Sequence, residues 1–206
     1  ATRYLESNRY VLVQLLAIFL GVVAYILLTF VDFQLFVEKN WRWILACNIL
    51  FTLLLLTPLG TDHYMGNRNW LEIPGFPVDI QPNEVGKLPF ILLMALQFSR
   101  LHDQERDVSS PLSVAQTGGH AVFMLALIAA VCGDMGMCVV YMFIYAFMAW
   151  SAGVKIRWFV LVGGGIVLAA VILWLFVLPE TSLWNDYRIM RFRVVFDLDL
   201  DPLGRG

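Results

Sequence analysis

The sequence predicts an all-α polytopic membrane protein, a helical bundle with about six membrane helices, and three observations lead to this fold class. First, 60% of the 206 residues are hydrophobic and only 15% are charged, whereas soluble domains carry about 25% charged residues. Second, several apolar stretches reach the roughly 20 residues that a helix needs to cross a bilayer. Third, polar segments containing Pro and Gly separate these stretches, which is typical of loops.

The apolar stretches are predicted to cross the membrane as helices. The first ends at Asp32, and a polar connector over residues 37–40 precedes the second, where Trp41 is an interfacial aromatic. Pro82 and Glu84 suit the first turn of the third helix, because proline presets the helical φ and an acidic side chain complements the helix dipole. The predicted spans are residues 10–31, 41–59, 82–98, 118–132, 135–152 and 157–178, and the predicted aqueous loops are residues 60–81 and 179–206.

The apolar run from Gly118 to Trp150 is too long for one span. It is interrupted at residues 132–136, where Asp134 lies between glycines, so two helices are predicted to meet there. Asp134 is interpreted as the N-cap of the second helix, because a carboxylate can accept the free amide hydrogens of a first turn. A functional position in a cavity is the alternative for this residue.

Charge and cysteine content argue against several kinds of partner and site. The formal net charge is −2, so no nucleic acid partner is expected. Cys47, Cys132 and Cys138 lie in apolar surroundings without the spacing of a zinc site, and they are interpreted as small packing residues. The sequence also lacks a Ser/His/Asp grouping and a phosphate-binding glycine loop.

Ionisable residues at the start of the third predicted helix form the first candidate site. In the segment Gln81-Pro82-Asn83-Glu84-Val85-Gly86-Lys87, Glu84 and Lys87 are three residues apart and share one helix face. Charged groups beside a membrane helix are costly and often mark function. The structural alternative is an interfacial ion pair whose side chains reach water and anchor the helix.

The polar segment after residue 179 holds the second candidate site. Arg188, Arg191 and Arg193 lie within six residues, and guanidinium groups of this kind match the oxygens of phosphate or pyrophosphate. The alternating aspartates from Asp197 to Asp201 are suited to a divalent cation, or one of them to general base catalysis. An extended, solvated strand without a site is the alternative.

The two long loops are predicted to lie on the same face of the membrane, because an even number of spans separates residues 60–81 from residues 179–206. Lys and Arg are balanced between the two faces, so the positive-inside rule does not orient the chain. The sequence begins Ala1-Thr2-Arg3 and stops within a polar stretch at Gly206. It is therefore expected to be an internal piece of a longer protein.

Four short motifs follow each other along the chain. They are Gly66-Asn67-Arg68-Asn69-Trp70, the segment 81–87, Gly133-Asp134-Met135-Gly136-Met137, and Tyr187-Arg188 and Arg191 followed by Asp201-Pro202-Leu203-Gly204-Arg205-Gly206. In this order they resemble the motifs of the shape, elongation, division and sporulation (SEDS) family, which includes RodA and FtsW. Two of them depart from the family pattern: Asn83 replaces a serine, and the third motif keeps only its Asp and Gly.

The resemblance implies a ten-helix protein of the bacterial cytoplasmic membrane, of which this chain would be the part from the second helix to the loop after the seventh. It implies a peptidoglycan glycosyltransferase that polymerises lipid II into β-1,4 glycan strands during elongation or division. Loops 60–81 and 179–206 would be extracytoplasmic and carry the active site. The implied partners are lipid II and a class B penicillin-binding protein transpeptidase, and a divalent cation is the one cofactor considered.

The resemblance also implies roles for individual residues. Asp201 would be the general base, which takes the proton of the attacking sugar hydroxyl. The substrate-binding candidates are Arg188, Arg191, Arg68, Trp70, Gln81, Glu84 and Lys87. The cationic members of this set are available for the developing charge of the pyrophosphate leaving group, and Glu84 would hold Lys87 in position.

Two functions of other classes remain open. In a lipid flippase or transporter, Glu84, Lys87 and Asp134 would line a translocation route. In a non-catalytic scaffold, the helices would recruit a transpeptidase. The chain on its own is expected to be inactive, because residues beyond Gly206 would be needed to close the cavity.

Overall fold

Helices form most of the described structure. The computed structural model describes residues 2–61, 68–74 and 79–177. Six α-helices follow one another in this part of the chain: α1 (Thr2–Leu28), α2 (Phe33–Leu53), α3 (Pro82–Asp103), α4 (Pro111–Cys132), α5 (Met135–Ser151) and α6 (Ile156–Ile172). A 3-10 turn, Leu54–Leu56, extends α2, and a π-helical turn, Leu173–Val177, extends α6. The predicted all-α fold class is confirmed.

The helices differ in their capacity to cross a bilayer. Within the described residues, α4 is the one helix that is long and apolar enough by itself to cross a bilayer. The helices Gln14–Leu28 and Phe33–Leu56 meet the same criterion only when they are taken together as a pair. The two members of this pair are bent by 105° relative to each other. Helices α5 and α6 are apolar but have 17 residues each. Large apolar side chains of both helices are exposed, as lipid contact requires.

The chain divides into two compact units, Ala1–Ala152 and Gly153–Gly206. In the first unit, α3 is central and packs against α2, α4 and α5. Phe90 of α3 is fully buried, with its ring centroid 4.9 Å from that of Tyr141 and 5.6 Å from that of His120. In the second unit, the described helix α6 has exposed apolar side chains such as Ile156 and Val160.

The break between α1 and α2 lies at residues 29–32, before the predicted polar connector. Asp32 is the N-cap of α2, and residues 37–40 therefore lie inside the helix. Asn40 donates a hydrogen bond from Nδ2 to the carbonyl of Phe36 at 2.9 Å. A polar side chain that bonds within its own helix does not end that helix, so composition alone placed the break too late.

The break between α4 and α5 lies where the sequence predicts it. Gly133 has a φ of +66°, the left-handed conformation that glycine adopts without strain at a helix C-terminus. Asp134 then accepts a hydrogen bond at Oδ1 from the amide of Met137 at 3.0 Å. The predicted capping role of Asp134 is confirmed.

A glycine allows close packing near the start of α3. Asn48 of α2 donates a hydrogen bond from Nδ2 to the carbonyl of Gly86 at 3.3 Å. A Cβ atom at position 86 would lie only 2.6 Å from Asn48 Oδ1 and 3.0 Å from the hydroxyl of Tyr141 on α5. The small residue thus brings α2, α3 and α5 together within the motif at residues 81–87.

Candidate functional site

Three of the four sequence motifs meet at the end of the first unit where α3 begins. Asn83, in the first turn of α3, places Nδ2 3.1 Å from the sulfur of Cys132 at the end of α4. Asn69, in the loop before α3, donates from Nδ2 to Oδ2 of Asp134 at 2.7 Å, just before α5. These two contacts join segments 49 and 65 residues apart in sequence.

A small antiparallel sheet fixes the two ends of the loop between α2 and α3. Strand β1 (Gly60–Thr61) pairs with β2 (Trp70–Leu71). Leu71, which is buried, also pairs with Ile80: its amide donates to the Ile80 carbonyl at 2.7 Å, and the Ile80 amide donates back at 3.1 Å. The backbone around Arg68 and Trp70 is therefore tied to the residue that directly precedes the Gln81 motif.

Arg68 and Trp70, both predicted for the site, lie on this sheet or beside it. Nη2 of Arg68 donates to the carbonyl of Gly60 at 3.2 Å, and the arginine side chain is exposed. A guanidinium has five N–H donors in a planar fork, so this bond leaves donors that point to the surroundings. Trp70 is half-buried, and its carbonyl accepts from the hydroxyl of Thr61 at 3.4 Å.

Glu84 and Lys87 form the predicted ion pair. Nζ of Lys87 lies 2.8 Å from Oε2 of Glu84, and the two side chains are 22% and 52% exposed, respectively. Such a pair on a helix contributes only about 0.2–0.5 kcal/mol to stability, so its main effect is to fix where the ammonium group lies. Gln81 directly precedes α3 and is partly exposed, and its side chain does not cap the helix.

Asn83 anchors the turn that carries Glu84. It is 1% exposed, and its carbonyl accepts a hydrogen bond from the hydroxyl of Tyr141 at 3.0 Å. Its Oδ1 is buried and has no hydrogen-bond partner among the described residues, and the same is true of Oδ1 of Asn69. The side-chain amide of Asn83 supplies the donor that contacts Cys132.

Sequence reasoning assigned no role to three residues that hold this end of the bundle together: Asn48, Asn69 and Tyr141. For Asn48 a signal exists, because Asn48 and Thr52 are buried polar residues one turn apart in an apolar helix, and such residues are rare in membrane helices without a partner. Tyr141 gives no comparable signal, since an aromatic residue in an apolar run usually packs in a core.

The remaining predicted residues, Asp201, Arg188 and Arg191, lie outside the described residues. The tail aspartates considered for a divalent cation lie outside them as well. Within residues 2–61, 68–74 and 79–177, no group of three or more His, Cys, Asp or Glu side chains is placed to hold a metal ion. The described candidate residues thus provide one ion pair and one exposed arginine, supported by neighbouring amides.

The bond between Asn69 and Asp134 is testable through stability. Asp134 caps α5 and also holds Asn69, whereas Asp32 caps α2 by accepting from the Leu35 amide at 3.2 Å. Loss of a cap costs about 1 kcal/mol, and loss of a hydrogen bond to a charged group costs about 1.5–3 kcal/mol. We expect Asp134→Ala to lower the Tm in detergent clearly more than Asp32→Ala.

Asn69→Ala completes this test as a double-mutant cycle. In the Asp134→Ala background, Asn69→Ala is expected to have little further effect on the Tm, because its partner is already gone. The hydrogen bond between Asn69 and Asp134 would be contradicted by two results together. Asp134→Ala and Asp32→Ala would lower the Tm equally, and the effects of Asp134→Ala and Asn69→Ala would be additive.

Known proteins share both the sequence pattern and the fold. The family model for FtsW, RodA and SpoVE, described as "Cell cycle protein", matches residues 1–206. "Probable peptidoglycan glycosyltransferase FtsW" of Trichlorobacter lovleyi is 24% identical over 196 residues, which cover 94% of this chain and 47% of that protein. "Peptidoglycan glycosyltransferase MrdB" of Escherichia coli K12 is 32% identical over 146 residues, which cover 68% of this chain and 35% of that protein.

A solved structure has the same fold. It is described as "Structural coordination of polymerization and crosslinking by a peptidoglycan synthase complex". Its matching chain is 24% identical to this chain, with a TM-score of 0.67. The match covers 94% of this chain and 52% of the matching chain. The chain therefore spans about half the length, or less, of the relatives it matches. With the family match over its whole length, this chain belongs to the FtsW, RodA and SpoVE family of membrane proteins.

Proposed function

We propose that the full-length protein is a peptidoglycan glycosyltransferase of a bacterial cytoplasmic membrane, which polymerises lipid II into glycan strands. The relatives named above carry this activity in their names. The observation that supports it most directly is the meeting of three family motifs at one end of the bundle through the Asn69–Asp134 and Asn83–Cys132 contacts. Cationic groups of Arg68 and Lys87 are held at that same end.

The proposed reaction is a single inverting displacement. The 4-hydroxyl oxygen of one lipid II forms a bond to the anomeric carbon of the growing chain, and the bond from that carbon to the pyrophosphate oxygen breaks. Asp201 takes the hydroxyl proton, which makes the oxygen a better nucleophile. The electron pair of the broken bond leaves on undecaprenyl pyrophosphate, whose charge Arg188 and Arg191 stabilise.

The described residues would supply the other half of this site. Glu84 holds the Lys87 ammonium at 2.8 Å, so a cation is already oriented before pyrophosphate charge develops. A preorganised cation needs no rearrangement during the reaction, which is why it stabilises the transition state well. Arg68 has guanidinium donors left for a second phosphate oxygen, while Trp70 and Gln81 supply contact surface beside it.

This function requires a defined topology and partners. We propose that loops 60–81 and 179–206 both lie on the extracytoplasmic side, so that Asp201 comes close to Glu84 and Lys87. The membrane spans would be residues 10–31, 41–59, 82–98, 118–132, 135–152 and 157–178. A class B penicillin-binding protein transpeptidase would crosslink the strands that the full-length protein makes.

Purified full-length protein supplied with lipid II in detergent tests the proposal. Glycan strands, separated by gel electrophoresis, are the expected product. The transporter alternative predicts that lipid II crosses the bilayer of proteoliposomes while no glycan forms, and the scaffold alternative predicts neither. If the folded protein makes no glycan from lipid II even when its transpeptidase is present, the proposal is contradicted.

A further inference from the structure

A cavity of about 380 Å³ opens near the other end of α3, away from the candidate site. Three leucines of α3 form its apolar lining, and its polar lining residues are Trp41, Gln97, Arg100, Gln104, Arg106 and Gln116. Arg100 follows Glu84 by 16 residues on the same helix, which corresponds to about 24 Å at the helical rise. The cavity is therefore separate from the proposed glycosyltransferase site.

The charge of this cavity is positive. Arg100 and Arg106 line it and are half-buried, and no acidic residue lines it. Within the described part of the chain, neither guanidinium has a carboxylate within ion-pairing distance. Instead, Arg100 lies over the ring of Trp41 at 5.5 Å from the centroid. A partly buried cation without a counter-ion is unfavourable, so the cavity is suited to an anion.

The inner part of the cavity adds a polar group in apolar surroundings. Nε2 of Gln97 lies 2.7 Å from Nδ1 of His120 on α4. Oε1 of Gln97 is buried and has no hydrogen-bond partner among the described residues. Gln97 therefore links α3 to α4 beside the cavity. Leu93, Leu96 and Leu101 beside it offer contact for hydrocarbon.

We propose that this cavity binds an anionic lipid through a phosphoryl group in its head group. The two guanidinium groups match the geometry of phosphate oxygens, and the leucines contact the acyl chain. A membrane lipid is favoured as the source of the phosphate, because Trp41 is suited to the membrane interface and basic pockets between membrane helices bind such head groups. Phosphatidylglycerol carries both chemical features.

Lipid binding by the full-length protein tests this proposal. The protein is placed in nanodiscs of phosphatidylcholine with a small fraction of phosphatidylglycerol, and the lipid that stays bound after extraction is counted by native mass spectrometry. We expect Arg100→Gln with Arg106→Gln to reduce bound phosphatidylglycerol at least 10-fold. The matched control is Lys39→Gln, which removes one exposed charge from α2 outside the cavity lining and is expected to leave binding within twofold.

Two further arms keep the result decisive. Arg106→Gln alone leaves the stack of Arg100 on Trp41 intact and is expected to lose several-fold binding without a change in Tm, so a folding defect is not mistaken for loss of the site. In the second arm, inorganic phosphate is added to the lipid-bound protein. If phosphate displaces the lipid, the site recognises the phosphoryl group and also accepts free phosphate. If phosphate does not displace it, the lipid itself is the ligand. Wild-type binding in the double variant, or an equal loss in Lys39→Gln, would overturn the proposal.

Discussion

Asp201→Asn in the full-length protein is expected to lower the rate of glycan polymerisation from lipid II by about 10²–10⁴-fold, the usual contribution of a general base. Asparagine has nearly the same size as aspartate but cannot take a proton from the sugar hydroxyl. The rate is measured with purified protein as the formation of glycan strands over time. Binding of lipid II is expected to change little, because the proton moves only in the transition state.

The control for this substitution lies two residues away in the same segment. Asp199→Asn removes the same charge from the alternating aspartates but lies outside the family motif that begins at Asp201. Its rate is expected to stay within a few-fold of wild type. Polymerisation at the wild-type rate by Asp201→Asn, or an equally large loss in Asp199→Asn, would show that Asp201 is not the base.

Lys87→Gln is expected to reduce polymerisation by about 10–10³-fold, because it removes a positioned cation from the developing pyrophosphate charge. The Tm is expected to move little, since the Glu84–Lys87 pair is partly exposed and contributes only about 0.2–0.5 kcal/mol. The rate and the Tm are measured on the same preparation. A loss of rate without a loss of stability separates a role in the reaction from a role in anchoring the helix.

A charge swap distinguishes the two interpretations of this pair more sharply. Glu84→Lys combined with Lys87→Glu keeps an ion pair at the same two positions but moves the cation by almost one helical turn. If Lys87 acts on pyrophosphate, the swapped protein stays slow. If the pair only anchors the start of α3, the swap restores the wild-type rate, and that outcome would contradict the proposed role. Lys39→Gln, far along the chain on α2, is the control for loss of a surface charge.

Features that depend on neighbouring residues could be predicted from the sequence. The ion pair of Glu84 and Lys87 follows from a separation of three residues on a helix, and its 2.8 Å distance confirms it. The cap at Asp134 follows from a carboxylate after a glycine at the end of an apolar run, and its bond to the Met137 amide confirms it. Both interactions are decided within one helical turn.

Features that depend on distant residues could not be predicted in this way. The second oxygen of Asp134 binds Asn69, 65 residues earlier, and nothing in either local sequence indicates this partner. The early start of α2 was not predicted for a related reason, because the segment 37–40, with its three polar residues, continues the helix. A polar residue in a helix and a polar residue in a loop have the same composition, and only their hydrogen bonds distinguish them.

The distance between residues 84 and 201 tests the central claim most directly. Spin labels on cysteines at these positions, in full-length protein whose native cysteines have been replaced, report it by pulsed electron resonance in proteoliposomes. If the base and the Glu84–Lys87 pair share one extracytoplasmic site, the distance is expected to be below about 20 Å. A distance near or above about 30 Å, the thickness of the hydrocarbon core, would place them at opposite membrane surfaces and contradict the proposed site.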